Sequence, residues 1–277
     1  MLQGNLYIVP TPIGNLLDWS PRAVETLRSV DLIAAEDTRH SVKLLQHFSI
    51  ETPCIAYHEH TTQEEALEIA QRIATGLSVA LISDSGTPLI SDPGYRLVRA
   101  AQDAGARVIP LPGPSAVSTA LSASGLPTDR FFFEGFLPAK RTARRNRLAD
   151  LASLTATVVF FEAPHRIVET LEDLVDVLGA EREAAVCREL TKTFETIRRA
   201  PLRVLKQWVA EDSDQQRGEI VLVVSGAREQ LAMTPALKQL LWRLAEVLPP
   251  RRAAALVADY SGLKARDLYQ LLLDRQS

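Results

Sequence analysis

The sequence predicts an α/β protein made of two α/β domains, residues 1–134 and 135–228, followed by a small helical C-terminal module, residues 229–277. Strand and helix patterns alternate through the first domain, which is typical of a mostly parallel sheet covered by helices. The length of 277 residues exceeds what most single cores hold. Beyond Gly226 the strand patterns stop and the chain becomes rich in Leu, Ala and Arg.

Short apolar runs mark the strands of the first domain, and capping patterns mark its helices. Ser20 before Pro21 is a favourable helix start. Thr62 with Glu65 forms a capping-box pattern. The predicted strands cover residues 6–9, 32–35, 79–82, 107–110 and 131–133, and the predicted helices cover residues 21–30, 62–75, 95–104 and 114–125.

A break in the pattern opens the second domain. Gly135 and Pro138 interrupt it, and residues 135–155 are expected to form a linker followed by a helix. A helix is predicted over residues 164–178, and strands over residues 157–161, 183–187, 192–198 and 219–224.

The C-terminal residues predict three short helices, separated at Pro249-Pro250 and at Gly262. Residues 252–269 have the spacing of a helix-turn-helix. A small helical packing module would show the same spacing, so both interpretations stay open.

Bulk properties exclude several classes of protein. No window approaches 18 consecutive apolar residues, and the N-terminus lacks the basic region of a signal peptide. Cys54 and Cys187 lack metal-ligand spacing and are expected to be reduced, as in a cytoplasmic protein. His58 and His60 lack further ligands nearby, so no metal is expected.

The net charge of −3 conceals one strongly basic segment. Such a cluster is able to contact phosphates and to gain affinity by counterion release. It is equally compatible with a solvated helix face. Its basic residues are Lys140, Arg141, Arg144, Arg145 and Arg147.

The loop over residues 83–94, SDSGTPLISDPG, is the most informative segment of the chain. It follows an apolar strand, its Gly and Pro residues cannot continue that strand, and it is longer than usual connections of roughly 2–6 residues. Ligands of open α/β sheets bind at the carboxyl ends of strands. Further loops in equivalent positions are expected to converge with it on one cleft between the domains, at residues 10–16, 35–39, 112–116, 162–166 and 188–192.

Eight motifs in order resemble one family. They are PTPIGNL at 10–16, AEDTR at 35–39, SDSGTPLISDPG at 83–94, PGPSA at 112–116, FFFEGFLP at 131–138, EAPHR at 162–166, RELTK at 188–192 and GEIVLVV at 218–224. The set closely resembles the ribosomal small subunit methyltransferase I family within the tetrapyrrole methylase-like superfamily. The last 45 residues are similar to that family's helical C-terminal module.

The resemblance implies the class III fold, with S-adenosylmethionine bound in a cleft between two α/β domains. It also implies a homodimer without a metal, acting in the cytoplasm on 16S rRNA in the small ribosomal subunit. The implied reaction is 2′-O-methylation of a cytidine, at the family position C1402.

Donor-binding positions carry over by motif. Thr87 stands where the superfamily has an acidic residue, and Ser85 stands where Ala is expected. The donor-binding residues implied by the resemblance are Thr11, Pro12, Ile13, Ser83, Asp84, Gly86, Thr87, Pro88, Ile90, Ser115, Ala116, Phe161, Glu162, Gly218, Glu219 and Ile220.

A ribose hydroxyl is a weak acid, so a base that accepts its proton is expected to accelerate transfer by roughly 10²–10⁴-fold. Asp37 and Glu36 are the candidates, with Ser83, Asp84 and Lys192 in reserve. Four further residues are expected to grip phosphates or the sugar, and these are Arg39, His165, Arg166 and Arg188.

Two other functions remain open. A small-molecule methyltransferase acting on a tetrapyrrole would share fold and donor, but the basic segment and the helical module favour RNA. A non-catalytic rRNA-binding factor would keep the fold without turnover, and the intact cleft motifs disfavour it.

Overall fold

The computed structural model of the chain describes residues 4–227 and 233–276. One compact unit contains both β-sheets, and a second contains the C-terminal helices with residues 150–156. The predicted boundary between two α/β domains after residue 134 therefore stays a prediction. The predicted start of the helical module at residue 229 lies outside the described residues.

Five parallel strands form the first sheet in the order β3-β2-β4-β1-β5, as the alternating pattern predicts. The strands are β1 (Asn5–Ile8), β2 (Leu32–Ala35), β3 (Cys54–Ala56), β4 (Val79–Ile82) and β5 (Arg107–Pro110). The helices of this part are α1 (Pro21–Ser29), α2 (Thr38–His47), α3 (Gln63–Ala74) and α4 (Tyr95–Asp103). Sequence patterns missed β3 and α2.

Both faces of the first sheet are buried. Successive residues of β4 alternate between two apolar cores, with Val79 and Leu81 in one and Ala80 and Ile82 in the other. This explains why β2 and β4 are continuously apolar instead of alternating with polar residues.

Two predicted helix caps are confirmed. The Ala23 N–H donates to Ser20 Oγ at 3.1 Å at the start of α1. At the start of α3, the Glu65 N–H donates to Thr62 Oγ1, and the Thr62 N–H donates to the Glu65 carboxylate.

The second sheet is mixed, in the order β6-β7-β10-β8-β9. Only the β6–β7 pair is parallel within this sheet of the described residues. The strands are β6 (Phe131–Phe136), β7 (Thr157–Glu162), β8 (Glu183–Arg188), β9 (Thr196–Pro201) and β10 (Ile220–Val224). The helices between α4 and the C-terminal unit are α5 (Ala116–Ser124), α6 (Arg141–Leu151), α7 (Ile167–Leu178) and α8 (Leu202–Glu211).

The strand predicted over residues 192–198 was placed too early. Residues 189–195 form turns, in which the Lys192 N–H donates to the Glu189 carbonyl and the Glu195 N–H to the Lys192 carbonyl. Strand β9 begins only at Thr196. Lys192 therefore lies in the turn between β8 and β9 and not in a strand.

The C-terminal unit contains the three predicted helices, α9 (Pro235–Val247), α10 (Pro250–Ser261) and α11 (Ala265–Gln276). The chain breaks at Pro249-Pro250 and at Gly262, whose φ of 68° is left-handed. The unit has its own apolar core, formed by residues that include Leu241, Val257 and Leu268. Among the described residues, we find no helix with the length and apolarity needed to span a membrane.

Candidate active site

The loops after β1 and β4 are joined at the carboxyl edge of the first sheet. The Thr11 N–H donates to the Gly86 carbonyl at 2.9 Å, and the Gly86 N–H donates to the Thr11 carbonyl at 3.1 Å. Thr11 Oγ1 also donates to the Ser83 carbonyl at 3.1 Å. These bonds hold the two loops side by side.

A cavity of about 390 Å³ opens beside these loops and is lined by loops that follow strands of the first sheet and by residues of the second sheet. This volume lies in the range of small-molecule sites, roughly 300–1,000 Å³. The cavity brings together the majority of the donor-binding residues that the sequence predicts: Ile13, Gly86, Thr87, Ile90, Ser115, Ala116, Phe161, Glu162, Gly218, Glu219 and Ile220.

Five predicted donor-binding residues lie outside the cavity wall: Thr11, Pro12, Ser83, Asp84 and Pro88. Thr11 and Ser83 are buried, and their hydrogen bonds brace the loops that carry the wall. For these two residues, the structure supports a role in positioning the loops.

Other lining residues were missed by the sequence prediction. Asp92 lies within the loop motif over residues 83–94 and could have been found there, whereas Phe136 is the last residue of β6, Leu190 follows β8, and both are apolar. The missed lining residues are Ser85, Ser91, Asp92, Phe136, Ala163, Pro164, Leu190 and Val221.

The cavity suits a ligand that combines a flat ring with positive charge. Its walls include the apolar side chains of Ile13, Phe136, Phe161 and Leu190, and Phe136 packs edge-on against Phe161 with ring centroids 5.6 Å apart. Asp92 lines the same cavity, and its buried Oδ2 has no hydrogen-bond partner in the described structure. S-adenosylmethionine has both an adenine and a sulfonium, so these residues fit it.

Two glycines in the cavity wall pack closely against neighbouring side chains. Gly86 has a φ of 84°, and a Cβ there would lie 3.2 Å from Ile13 Cγ2. Gly218 has a φ of 79°, and a Cβ there would lie 2.4 Å from the Glu189 carboxyl carbon. Both positions favour glycine for conformation, and at Gly218 a Cβ would also overlap the Glu189 side chain.

The carboxylates of Glu36, Asp84 and Asp92 lie close enough to repel one another, in the loops after β2 and β4. The Asp37 N–H donates to Asp84 Oδ1 at 3.2 Å, and the Asp84 N–H donates to Glu36 Oε2 at 3.4 Å. Burial raises the pKa of Glu36, and the neighbouring Asp84 carboxylate adds to the rise. Burial, with repulsion from Glu36 and Asp84, raises the pKa of Asp92 to about 6.

The carboxylate of Asp37, a predicted base, is engaged by a helix cap and an ion pair. Its Oδ1 caps α2 by accepting from the Arg39 N–H at 2.9 Å, and Arg39 Nη2 lies 2.8 Å from its Oδ2. The hydrogen bonds from Arg39 lower the pKa of Asp37. Neither Asp37, Glu36 nor Arg39 is part of the cavity wall.

Lys192 joins loops from the two sheets. Its Nζ donates to Glu189 Oε1 at 2.8 Å and to Glu219 Oε2 at 2.9 Å. Its stem lies against Gly14, where a Cβ would come within 2.3 Å of Lys192 Cγ. Although burial opposes it, the two hydrogen bonds raise the pKa of Lys192 and favour its charged form.

The basic segment is largely neutralised by acids distant in sequence. Arg144 is fully buried, and its Nε lies 2.8 Å from Asp173 Oδ2. This corrects the prediction that Arg144 contacts RNA, because no part of its side chain reaches solvent. Arg141 and Arg145 also bond Asp173, and Arg147 pairs with Glu134 at 2.6 Å. Lys140 is exposed.

The three remaining predicted RNA contacts differ in exposure. His165 is exposed. Arg166 Nη2 donates to the Leu137 carbonyl at 2.8 Å. Arg188 is buried, with Nε donating to Gln215 Oε1 at 3.1 Å, which contradicts a direct phosphate contact for Arg188.

Metal ligands do not gather in the described residues: no group of three or more His, Cys, Asp and Glu is placed to hold an ion. Cys54 and Cys187 are free thiols, and burial raises the pKa of Cys187 to about 12.

Comparison with solved structures and family models defines the class of protein. Residues 5–206 match the family of tetrapyrrole (corrin/porphyrin) methylases. Uroporphyrin-III-C-methyltransferase from Thermus thermophilus has a TM-score of 0.55 and 19% identity, over 80% of this chain and 94% of that one. Diphthine synthase has a TM-score of 0.59 and 16% identity, over 80% and 89%. The chain is a methyltransferase with the tetrapyrrole methylase fold.

Closer relatives define the family within that class. Ribosomal RNA small subunit methyltransferase I from Pseudomonas aeruginosa is 55% identical over 100% of this chain and 99% of its own. The protein of that name from Escherichia coli O157:H7 is 52% identical over 99% and 96%. Residues 232–276 match the RsmI C-terminal HTH domain. The chain belongs to the ribosomal RNA small subunit methyltransferase I family.

Proposed function

We propose that this chain transfers the methyl group of S-adenosylmethionine to the 2′-oxygen of a cytidine in 16S rRNA, at the family position C1402. The substrate is the assembled small ribosomal subunit in the cytoplasm, and no metal takes part. The observation that carries the proposal is full-length similarity above 50% to relatives of one name, combined with a cavity formed by the motifs that define the resemblance.

The donor supplies an electrophilic methyl carbon. The protein therefore mainly has to orient the ribose oxygen toward that carbon and to enclose the reacting groups. Holding the ribose oxygen in line with that carbon is worth about 7–11 kcal/mol in well-aligned systems. Apolar walls at Ile13, Phe161 and Leu190 exclude water, which strengthens the attraction between a cavity carboxylate and a cationic donor.

RNA binding requires a nucleotide that leaves its helix to enter the cavity, since a paired ribose cannot reach it. The exposed residues Lys140, His165 and Arg39 are the contacts that we retain from the sequence prediction, and Arg39 also pairs with Asp37. The partly exposed Arg141, Arg145 and Arg147 would contribute only if phosphates compete with their carboxylate partners.

We also propose a homodimer. Strand β6 is at an edge of the second sheet and exposes Phe131, Phe132 and Phe136. An apolar groove of about 460 Å³ runs beside it, lined in part by Val117, Leu121 and the same aromatic segment. Exposed apolar patches of this kind mark interfaces. Sedimentation should give the mass of two chains.

The decisive experiment is transfer of labelled methyl from S-adenosylmethionine to small subunits that lack the modification, followed by nucleoside analysis. We expect 2′-O-methylcytidine, and we expect far less product on protein-free rRNA. A methylated base, or no transfer despite donor binding, would refute the proposed reaction.

A further inference from the structure

The loop after β4 holds strained backbone next to the cavity. Leu89 and Ser91 have φ values of 73° and 65°, a left-handed conformation that costs non-glycine residues roughly 1–3 kcal/mol each. They flank Ile90, and Asp92 follows. Ile90, Ser91 and Asp92 all line the cavity, so the strained segment fixes where the Asp92 carboxylate lies.

The second sheet supports this segment from the other side. A Cβ at Gly135, the bulge of β6, would lie 3.1 Å from Ser91 Oγ. The close approach shows that β6 packs directly against the strained loop. The loop that carries Asp92 is therefore in contact with β6 at the neighbouring residue Ser91.

The Asp92 carboxylate has an oxygen available for a ligand. Its Oδ2 is buried and makes no hydrogen bond within the described residues. A buried acceptor without a partner costs stability, and such groups are retained where function needs them. Burial, with repulsion from Glu36 and Asp84 in the loops after β2 and β4, raises the pKa of Asp92 to about 6, although an interaction with the Ser83 hydroxyl opposes the rise.

Other carboxylates of the cavity are occupied. Glu162 Oε2 accepts from Thr170 Oγ1 at 2.5 Å, and Glu162 Oε1 accepts from the Ala163 N–H at 2.8 Å. Glu219 pairs with Lys192. Among the described residues that line the cavity, Asp92 thus combines a carboxylate with an unpartnered buried oxygen.

We propose that Asp92 is the catalytic base of the reaction, an inference that rests on the ribose methylation proposed above. The 2′-hydroxyl proton passes to Asp92 Oδ2 as the ribose oxygen forms its bond to the methyl carbon. The electron pair of the breaking carbon–sulfur bond stays on sulfur, which becomes a neutral thioether. The role moves from Asp37 and Glu36, which the sequence favours, to a residue of the cavity wall.

Asp92→Asn tests this role, because it keeps the shape and removes the base. We expect kcat on small subunits, measured at saturating donor, to fall by roughly 10²–10⁴-fold, a loss far larger than any rise in the dissociation constant for S-adenosylmethionine measured by calorimetry. Asp103→Asn, which removes an exposed carboxylate from α4, is the matched control and should leave both unchanged.

The pH profile separates a base from a structural residue. In the wild-type protein, log(kcat/KM) for S-adenosylmethionine, which reports the donor-free enzyme, should rise with unit slope at low pH and level off above about 6, the pKa of Asp92. The rise should disappear in Asp92→Asn. Glu36→Gln should shift it to lower pH, since the variant removes a repelling charge. Asp92→Glu, which keeps the carboxylate, should recover part of the lost turnover.

Three outcomes would overturn the inference: a kcat of Asp92→Asn within about threefold of the unmodified protein, a loss confined to donor affinity, or a pH limb that vanishes in Glu36→Gln instead. Each leaves the proposed function standing if the unmodified protein still yields 2′-O-methylcytidine. A product methylated on the base would refute the proposed function itself, and the role of Asp92 toward a ribose hydroxyl with it.

Discussion

At the scale of single residues, Asp92 contributes to stability in a way that depends on pH. Its folded-state pKa of about 6 lies above the ordinary 3.8, so the folded chain binds this proton more tightly than the unfolded chain does. The favourable contribution is complete below about pH 3.8 and is lost as pH rises through about 6.

Asp92→Asn should therefore stabilise the donor-free protein near neutral pH. After a discount for its partial exposure, we expect about 1–2 kcal/mol at pH 7.5, and almost none near pH 4. Urea unfolding at both values measures the difference. An equal change at the two pH values would show that the effect has another source. A stabilised but inactive variant would be typical of a functional group that is costly to bury.

At the scale of elements, Gly86 links the loop after β4 to the loop after β1. Its φ of 84° and the 3.2 Å approach to Ile13 disfavour any side chain. We expect Gly86→Ala to cost about 1–3 kcal/mol of stability and to weaken S-adenosylmethionine binding at least about tenfold, because Ile13 must move in the cavity wall.

Gly179→Ala is the matched control for this prediction. Gly179 also has a positive φ, 98°, but no atom lies within 4 Å of the position of a Cβ. The Gly179→Ala variant should be less stable because of backbone strain, but its affinity for S-adenosylmethionine should not change. Equal donor affinity in the two variants would contradict the role that we assign to Gly86.

The contact between α6 and α7 depends on a buried ionic cluster. Arg144 and Asp173 are both inaccessible to solvent, and although burial opposes it, hydrogen bonds from Arg144, Arg141 and Arg145 lower the pKa of Asp173. Removing one member of a buried pair leaves an uncompensated charge. Asp173→Ala should therefore cost about 3–5 kcal/mol in urea unfolding.

An exposed pair provides the comparison. Glu181 and Arg203 are 2.6 Å apart and both well exposed, so Glu181→Ala should cost less than about 1 kcal/mol. If Asp173→Ala lowered the free energy of unfolding no more than Glu181→Ala, the ion pairs of the cluster would be exposed to solvent. Its arginines would then be available to RNA.

The same cluster shows what local sequence cannot predict. Counting charges over residues 140–147 suggests an RNA contact, but the acids that neutralise the segment lie in β6 and α7. The partner of Arg144 is 29 residues away. Only the tertiary structure, which places α6 beside α7 and β6, brings these charges together.

The position of the cavity was more predictable than its chemistry. Loops at the carboxyl ends of parallel strands meet at one edge, and this rule was enough to bring residues 83–94 and 112–116 into one wall. The role of Asp92 depends on the φ values of Leu89 and Ser91 and on the approach of Gly135 from another sheet. Neither the φ values nor this approach can be recognised from the local sequence. The sequence prediction therefore relied on charged residues next to a strand end and chose Asp37.

The whole molecule divides into two compact units. The cavity lies entirely in the unit that contains both sheets. The C-terminal helices have a separate core, and α10 and α11 are joined by a tight turn at Gly262 in a helix-turn-helix arrangement. Recognition of a large RNA needs contacts well beyond one nucleotide, and this unit presents exposed cations at Arg252, Lys264 and Arg266.

We expect these cations to bind the ribosomal subunit without affecting the donor. Reversing all three to Glu should raise KM for small subunits at least about tenfold and flatten its salt dependence by roughly one unit of slope for each phosphate that the variant no longer binds. The affinity for S-adenosylmethionine should not change. The control reverses the same number of exposed charges on the other unit, at Arg22, Lys43 and Arg107, and should affect KM much less, because net charge alone does not place a cation against a phosphate. Equal effects from both triple variants would mean that long-range attraction, and not direct binding by the helical unit, accounts for the affinity.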